Sequence, residues 1–236
     1  MTIESVLLEL LEQIKGDQFT PEIKAIIKKQ IESAAEDLSS NPRDRTEGNL
    51  KLLNAIMLIV SGAAEDLYGI GDETGLHFLP IFEDQPRSQI GLLINEPDKV
   101  AIVLGEYVKT WEEVFYDICH ESLHLLNPVF NVKDDKIKVS ALEEGCAVKF
   151  AEQMYEKYIN PFCDKIPSTS PVNAFGSQYF TAYSAAKKIP DDVLREVRKT
   201  FGRFSNIDDA GKFKELVGEY VSAEEAGVLM RPFVYC

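Results

Sequence analysis

Apolar positions recur at helical spacing through the first third of the chain. Val6, Leu7, Leu10, Leu11 and Ile14 make one such stripe, the pattern of a helix with a buried face. Thr20-Pro21 then offers a capping hydroxyl followed by proline at a first helical position. The stripe it opens runs Ile23, Ile26, Ile27, Ile31, Ala34, Ala35 and Leu38, and Asn41-Pro42 ends it. A third helix is predicted from about Thr46 to Leu67. Its middle, AIMLIVSGAA over 55–64, is apolar nearly all round, so this helix belongs at the centre of the core.

The period then changes. After the turn-rich YGIGDETG come LHFLPIF, SQIGLLIN and KVAIVLG, three short runs rich in Ile, Val, Leu and Phe. Glu83-Asp84-Gln85-Pro86 and Asn95-Glu96-Pro97-Asp98 separate them as turns. The pattern predicts a small, mainly antiparallel sheet. From Thr110 onward the spacing is helical again, interrupted by loops at 127–139 and 160–171. The expected architecture is therefore α+β, mostly helical, with the sheet ahead of the Thr110 helix. No linker composition divides residues 1–236, so a single domain is expected, with 1–70 as a helical part packed on it.

Composition narrows the function. The chain has 236 residues, 45% of them hydrophobic and 27% charged, which suits a globular protein with a real core. A formal net charge of −14 argues against nucleic acid or an anionic membrane surface as partner. The N-terminus has no basic, apolar and small-residue succession, so no signal peptide is read there. The longest apolar run is too short to cross a bilayer. Cys119, Cys146, Cys163 and Cys236 lack CxxC spacing, which suggests neither a disulfide framework nor a thiolate zinc site. A cytoplasmic, reduced protein is expected.

The chemistry gathers in DICHESLHLL, residues 117–126. Thr110 and Glu113 make a T-x-x-E capping box, and Asn127-Pro128 is a stop signal. Positions four apart on a helix lie roughly 40° apart and one turn along. His120 and His124 thus project from one face and can meet one ion, with Glu121 beside them to reach a water: the mechanical content of H-E-x-x-H. A catalytic zinc wants three protein ligands and an open position. No histidine lies downstream, so a carboxylate must serve. In SALEEGCAVKF, Ser140 and Glu143 form a second capping box, which assigns Glu143 to the helix start and leaves Glu144 to coordinate.

HESLH, nineteen intervening residues and then Glu-Gly-x-Ala resemble the gluzincin metallopeptidases, the zinc aminopeptidases in particular. The match to L-x-E-G-x-A is Leu142, Glu144, Gly145 and Ala147, and it covers about residues 88–158. The resemblance implies a zincin-like fold and one Zn2+ held by His120, His124 and Glu144. It also implies an edge strand that binds peptide or protein substrate, with SQIGLLIN or KVAIVLG as that edge, and close packing of Gly145 and Ala147 against the HExxH helix. Glu121 would be the general base. The chain departs from the family in being short, in lacking an amine-binding motif and in having no aspartate four residues after Glu144.

A tetrahedral oxyanion also needs a hydrogen-bond donor. Tyr179 and Tyr183, four apart in FGSQYFTAYSAAKKI, are the candidates, with Tyr183 favoured. His77 is expected to be a strand-end residue, and Cys119 and Cys146 small buried hydrophobes. The function expected is a zinc hydrolase of the metallopeptidase class. The alternatives are a zinc-stabilised binding or regulatory module without catalysis, and a zinc hydrolase of a non-peptide amide or ester.

Overall fold

The first helix, α1 (Ile3–Gln13), buries Val6, Leu7, Leu10 and Leu11, and Ile14 follows them into the core. In this computed structural model residues 2–72, 75–77, 79–93, 95–128 and 138–234 are described. Thr20 caps α2 (Pro21–Ala34) by accepting from the Ile23 N–H. Its buried stripe is narrower than expected: Ile27, Ile31 and Ala34 are covered, whereas Ile23 and Ile26 are 41% and 62% exposed. The α2 helix stops short of Asn41-Pro42, tightening into a 3₁₀ turn at Ala35–Asp37. The loop beyond is held by buried Asn49, which accepts from the Ser39 N–H and donates to the Asn41 and Asp44 carbonyls. α3 (Glu47–Tyr68) is covered around its whole middle, including Leu52, Ile56, Met57, Ile59 and Val60.

Among the described residues the architecture is α+β and mostly helical, with one four-stranded sheet. The strand pairing differs from expectation. β4 (Glu96–Leu104) is central, and β1 (Gly75–Leu76) and β2 (Ile81–Phe82) both run parallel to it. Only β3 (Gln89–Leu93) is antiparallel, with Gln89 opposite Val103. The route of the chain explains this. After β2 it continues past the C-terminal end of β4, turns over residues 83–88 and returns as β3. Gly105 makes room for that turn, since a Cβ there would sit 2.7 Å from the Arg87 carbonyl carbon. The turn is pinned by Glu106 N–H to Gln85 O at 2.8 Å and Gly105 N–H to Ser88 Oγ at 3.1 Å.

The second expected turn is also displaced. β4 begins at Glu96, and the register slips between Leu92, opposite Val100, and Leu93, opposite Glu96. Pro97 falls in that bulge, where its missing N–H costs no ladder bond. Val100 to Leu104 are all buried, the continuous apolar run of a strand covered on both faces. Leu76, expected to open a longer strand, is followed by His77, whose N–H bonds Val100 O. Phe78 and Ile94, within the expected strands, lie outside the described residues, as does 129–137 of the expected 127–139 loop.

α4 (Trp111–Leu125) starts with both halves of its capping box in place. It packs between α3 and α5 (Ala141–Tyr158) and against β3 and β4. Buried Arg198, on α7 (Asp191–Phe201), closes the C-terminal ends of α3 and α4. Its guanidinium donates to the carbonyls of Tyr68, Gly69, Ile70 and Leu126 and to Asn127 Oδ1, satisfying acceptors that helix ends leave open. α6 (Gln178–Ala186), α8 (Ala210–Val217) and α9 (Ala223–Leu229) complete the chain. A continuous apolar cluster runs from Val6 on α1 to Leu229 on α9. Among the described residues no helix is long and apolar enough to cross a membrane.

Gly145 permits a close approach, but not the expected one. A Cβ there would lie 2.6 Å from the Ala182 carbonyl oxygen and 2.9 Å from Ala186 Cβ, so it admits α6 rather than α4. Alanine is the better helix former by roughly 1 kcal/mol, so an unobstructed Gly145→Ala would stabilise. Here backbone must move, and overpacking of about 1–3 kcal/mol should lower the melting temperature by roughly 2 to 10 °C. A thermal melt of Gly145→Ala showing a rise would overturn this account of the contact.

Candidate metal centre

His120 and His124 stand one turn apart on α4 with their Nε2 atoms 3.4 Å apart. Glu144, from the first turn of α5, places Oε2 at 3.4 Å from His120 Nε2 and Oε1 at 3.6 Å from His124 Nε2. Donors bound tetrahedrally at zinc distances of about 2.0–2.2 Å stand roughly 3.3–3.6 Å from one another. The three side chains could therefore hold one such ion with little movement, and two imidazoles with a carboxylate suit zinc in chemistry as well as in spacing. Burial acts to raise the Glu144 carboxyl, but the two imidazoles outweigh it and hold it well below the usual carboxylate range.

Glu143 does not do what the capping-box reading expects. Ser140 does cap α5, its Oγ accepting from the Glu143 N–H at 3.1 Å. The Glu143 side chain, however, turns inward, with Oε1 2.9 Å from His124 Nδ1, while its Oε2 accepts from Ser205. The Ser140 N–H that a full box would engage bonds Ser205 Oγ instead. Burial decides the difference: Glu143 is 4% exposed, and a buried carboxylate needs partners stronger than one backbone amide. The pair Glu143–His124 is the arrangement that fixes tautomer and ring orientation at a metal ligand.

Glu121 lies in the same cleft and is not among the three converging donors. Burial raises its carboxyl, against the pull of His120 and His124. Asp117, one turn earlier and also buried, accepts from Ser88 and from Thr169 Oγ1, the latter at 2.6 Å. It ties the 83–88 turn and the 160–171 loop to α4. The i, i+4 spacing of Asp117 and Glu121 on one helix face carried that signal in the sequence, whereas the partners of Asp117 did not.

The two tyrosines separate. Tyr179 lines the cleft, its ring centroid 6.4 Å from that of His120. Burial, with Glu144 next, pushes its hydroxyl up, while Arg87 acts the other way. Tyr183 lies against Lys187 Nζ at 5.0 Å and near Glu152 and Glu156, away from the cleft lining. This reverses the preference for Tyr183. Four residues displace a side chain by one turn, about 5.4 Å along the axis, and that is enough to carry it past the cleft. Phe233 locks the nearer ring, centroid to centroid 4.6 Å from Tyr179.

The cleft has a volume of about 830 Å³. Its far wall is the 85–90 stretch that leads into β3, and here lies a residue that no motif marked: Arg87, with its guanidinium carbon 6.0 Å from the Tyr179 ring centroid. His77 is a strand-end residue hydrogen-bonded through its backbone. Cys119 and Cys146 are fully buried, with burial pushing both thiols up; Cys236 lies outside the described residues. Compared with known proteins, the chain matches no protein family, no curated protein and no solved structure.

Purified protein should carry about one zinc per chain, read by elemental analysis. Glu144→Ala should lose it. Glu143→Ala should keep all three ligands and bind zinc roughly 10- to 100-fold more weakly, measured by competition with a chromophoric chelator. Unchanged affinity in Glu143→Ala would remove the orienting role.

Proposed function

We propose that this protein is a zinc-dependent hydrolase that cleaves peptide bonds, with a site similar to that of the gluzincin metallopeptidases. One observation carries the reading: Glu121, a buried carboxylate, lines the same cleft as three donors spaced for a tetrahedral ion. Zinc bound by His120, His124 and Glu144 would supply a lowered water pKa and a polarised carbonyl.

The chain's own groups account for the remaining steps. Glu121 takes a proton from the attacking water and then delivers it to the leaving amine. Tyr179, packed on Phe233 and lining the cleft beside His120, serves as the O–H donor to the developing oxyanion while its oxygen accepts from Arg87. β3 pairs with β4 along one side, and its other side can take an extended peptide by main-chain pairing. A cleft bounded by a strand edge fits a peptide better than a compact amide or ester.

Glu121→Gln should retain zinc and fold while losing at least about a hundredfold in peptide turnover. Tyr179→Phe should lower kcat by on the order of a hundredfold with KM nearly unchanged, as for loss of one oxyanion donor. Tyr183→Phe should stay near wild type. Steady-state kinetics on a mixed peptide library checks all three. Fully metallated wild-type protein that cuts no member would overturn the reading in favour of a binding module.

A further inference from the structure

The cleft is electrically lopsided. Its helical side carries Asp117, Glu121, Glu143 and Glu144, all buried. Across it, Arg87 is the one lysine or arginine among the described lining residues. Its backbone is held where the turn wraps β4: the Arg87 carbonyl group crowds Gly105, and the next residue, Ser88, donates to Asp117 and accepts from the Gly105 N–H. The side chain is exposed at the rim and reaches over Tyr179. The guanidinium also donates to the Tyr179 hydroxyl, and its five N–H donors can keep that bond while others take a carboxylate.

Resting on the peptidase reading above, we infer that Arg87 receives a substrate carboxylate carried within about two residues C-terminal to the cleaved bond. Position follows from β3. Antiparallel addition is the more stable pairing per residue, and a peptide laid antiparallel to β3 runs its C-terminal half toward Gln89 and on to Arg87. Arg87 lies 6.0 Å from the Tyr179 ring and that ring 6.4 Å from His120, a path of at most about 12 Å that two extended residues, roughly 7 Å, cover together with the reach of a carboxylate side chain or chain end. A carboxylate placed toward the helices instead meets four acidic groups. With a net charge of −14 the chain as a whole does not attract anions, so this recognition is short-range and depends on one residue. The carboxylate is either an Asp or Glu side chain or the substrate's own C-terminus.

Zinc-loaded Glu121→Gln protein provides a binding readout independent of turnover. The probes are fluorescein-labelled, C-terminally amidated alanine octapeptides bearing a single Glu, Gln or Lys at each position in turn, and the Gln series with a free C-terminal carboxylate. Fluorescence anisotropy should show Glu at one position binding roughly tenfold tighter than Gln, or the free terminus conferring that gain. The first result assigns a side-chain carboxylate and the second a chain end. Adding Arg87→Glu should invert the preference toward Lys with zinc content unchanged. Wild-type protein that cuts peptides with no charge preference would overturn this inference and leave the peptidase reading standing. Arg87-dependent binding without any cleavage would overturn hydrolysis and leave the carboxylate site. A preference absent from both binding and cleavage, or one that Arg87→Glu does not move, would overturn it.

Discussion

The site depends on one imidazole gripped by two consecutive glutamates. His124 meets Glu143 through Nδ1 and faces Glu144 through Nε2. That is possible only because the first turn of α5 abuts the last turns of α4, with Ser140 capping α5 and bonding back to Phe204 O. Shifting α5 by one residue would rotate it by about 100° and break both contacts. Buried carboxylates cost several kcal/mol each when unpartnered, so the same geometry that builds the site also makes its acids tolerable.

Neighbouring carboxylates then acquire opposite character from what they face. Glu144 looks onto two imidazoles and is held low, whereas Glu121, in the same cleft, is raised by burial. The walls are tied to this centre by few links. Asp117 joins two loops to α4, and Arg198 sets where α3 and α4 end. The segment before the C-terminus pairs with the start of α5, through Ala141 N–H to Arg231 O and Phe233 N–H to Val139 O, and delivers Phe233 to Tyr179. The cleft is assembled from turns, a strand edge and helix starts that lie far apart in the chain.

Much of the fold was legible because its signals are local. The stripe of α1, the Thr20 and Thr110 caps and the all-round burial of α3 depend on residues within a turn or two of one another. The errors fell where distant partners decide. Ile23 and Ile26 fit the α2 stripe yet face outward, since α1 and α3 cover only part of that helix. β1 and β2 read as strands without revealing that they run parallel to β4. Strand direction is set by where the chain turns back, and that turn rests on Gly105 and Ser88, 17 residues apart along the chain.

For the site, the sequence by itself determined that His120 and His124 share a helix face with Glu121 beside it, because helical periodicity is a property of the chain. Tertiary structure alone decided the rest. It brought Glu144 to 3.4 Å from His120, turned the Glu143 side chain toward His124, placed Tyr179 but not Tyr183 in the cleft lining and set Arg87 across the cleft. Each of these is a choice between side chains that local periodicity treats as equivalent. Packing separates them, because a buried charge must find its partner across the fold and a one-turn displacement carries a ring out of reach.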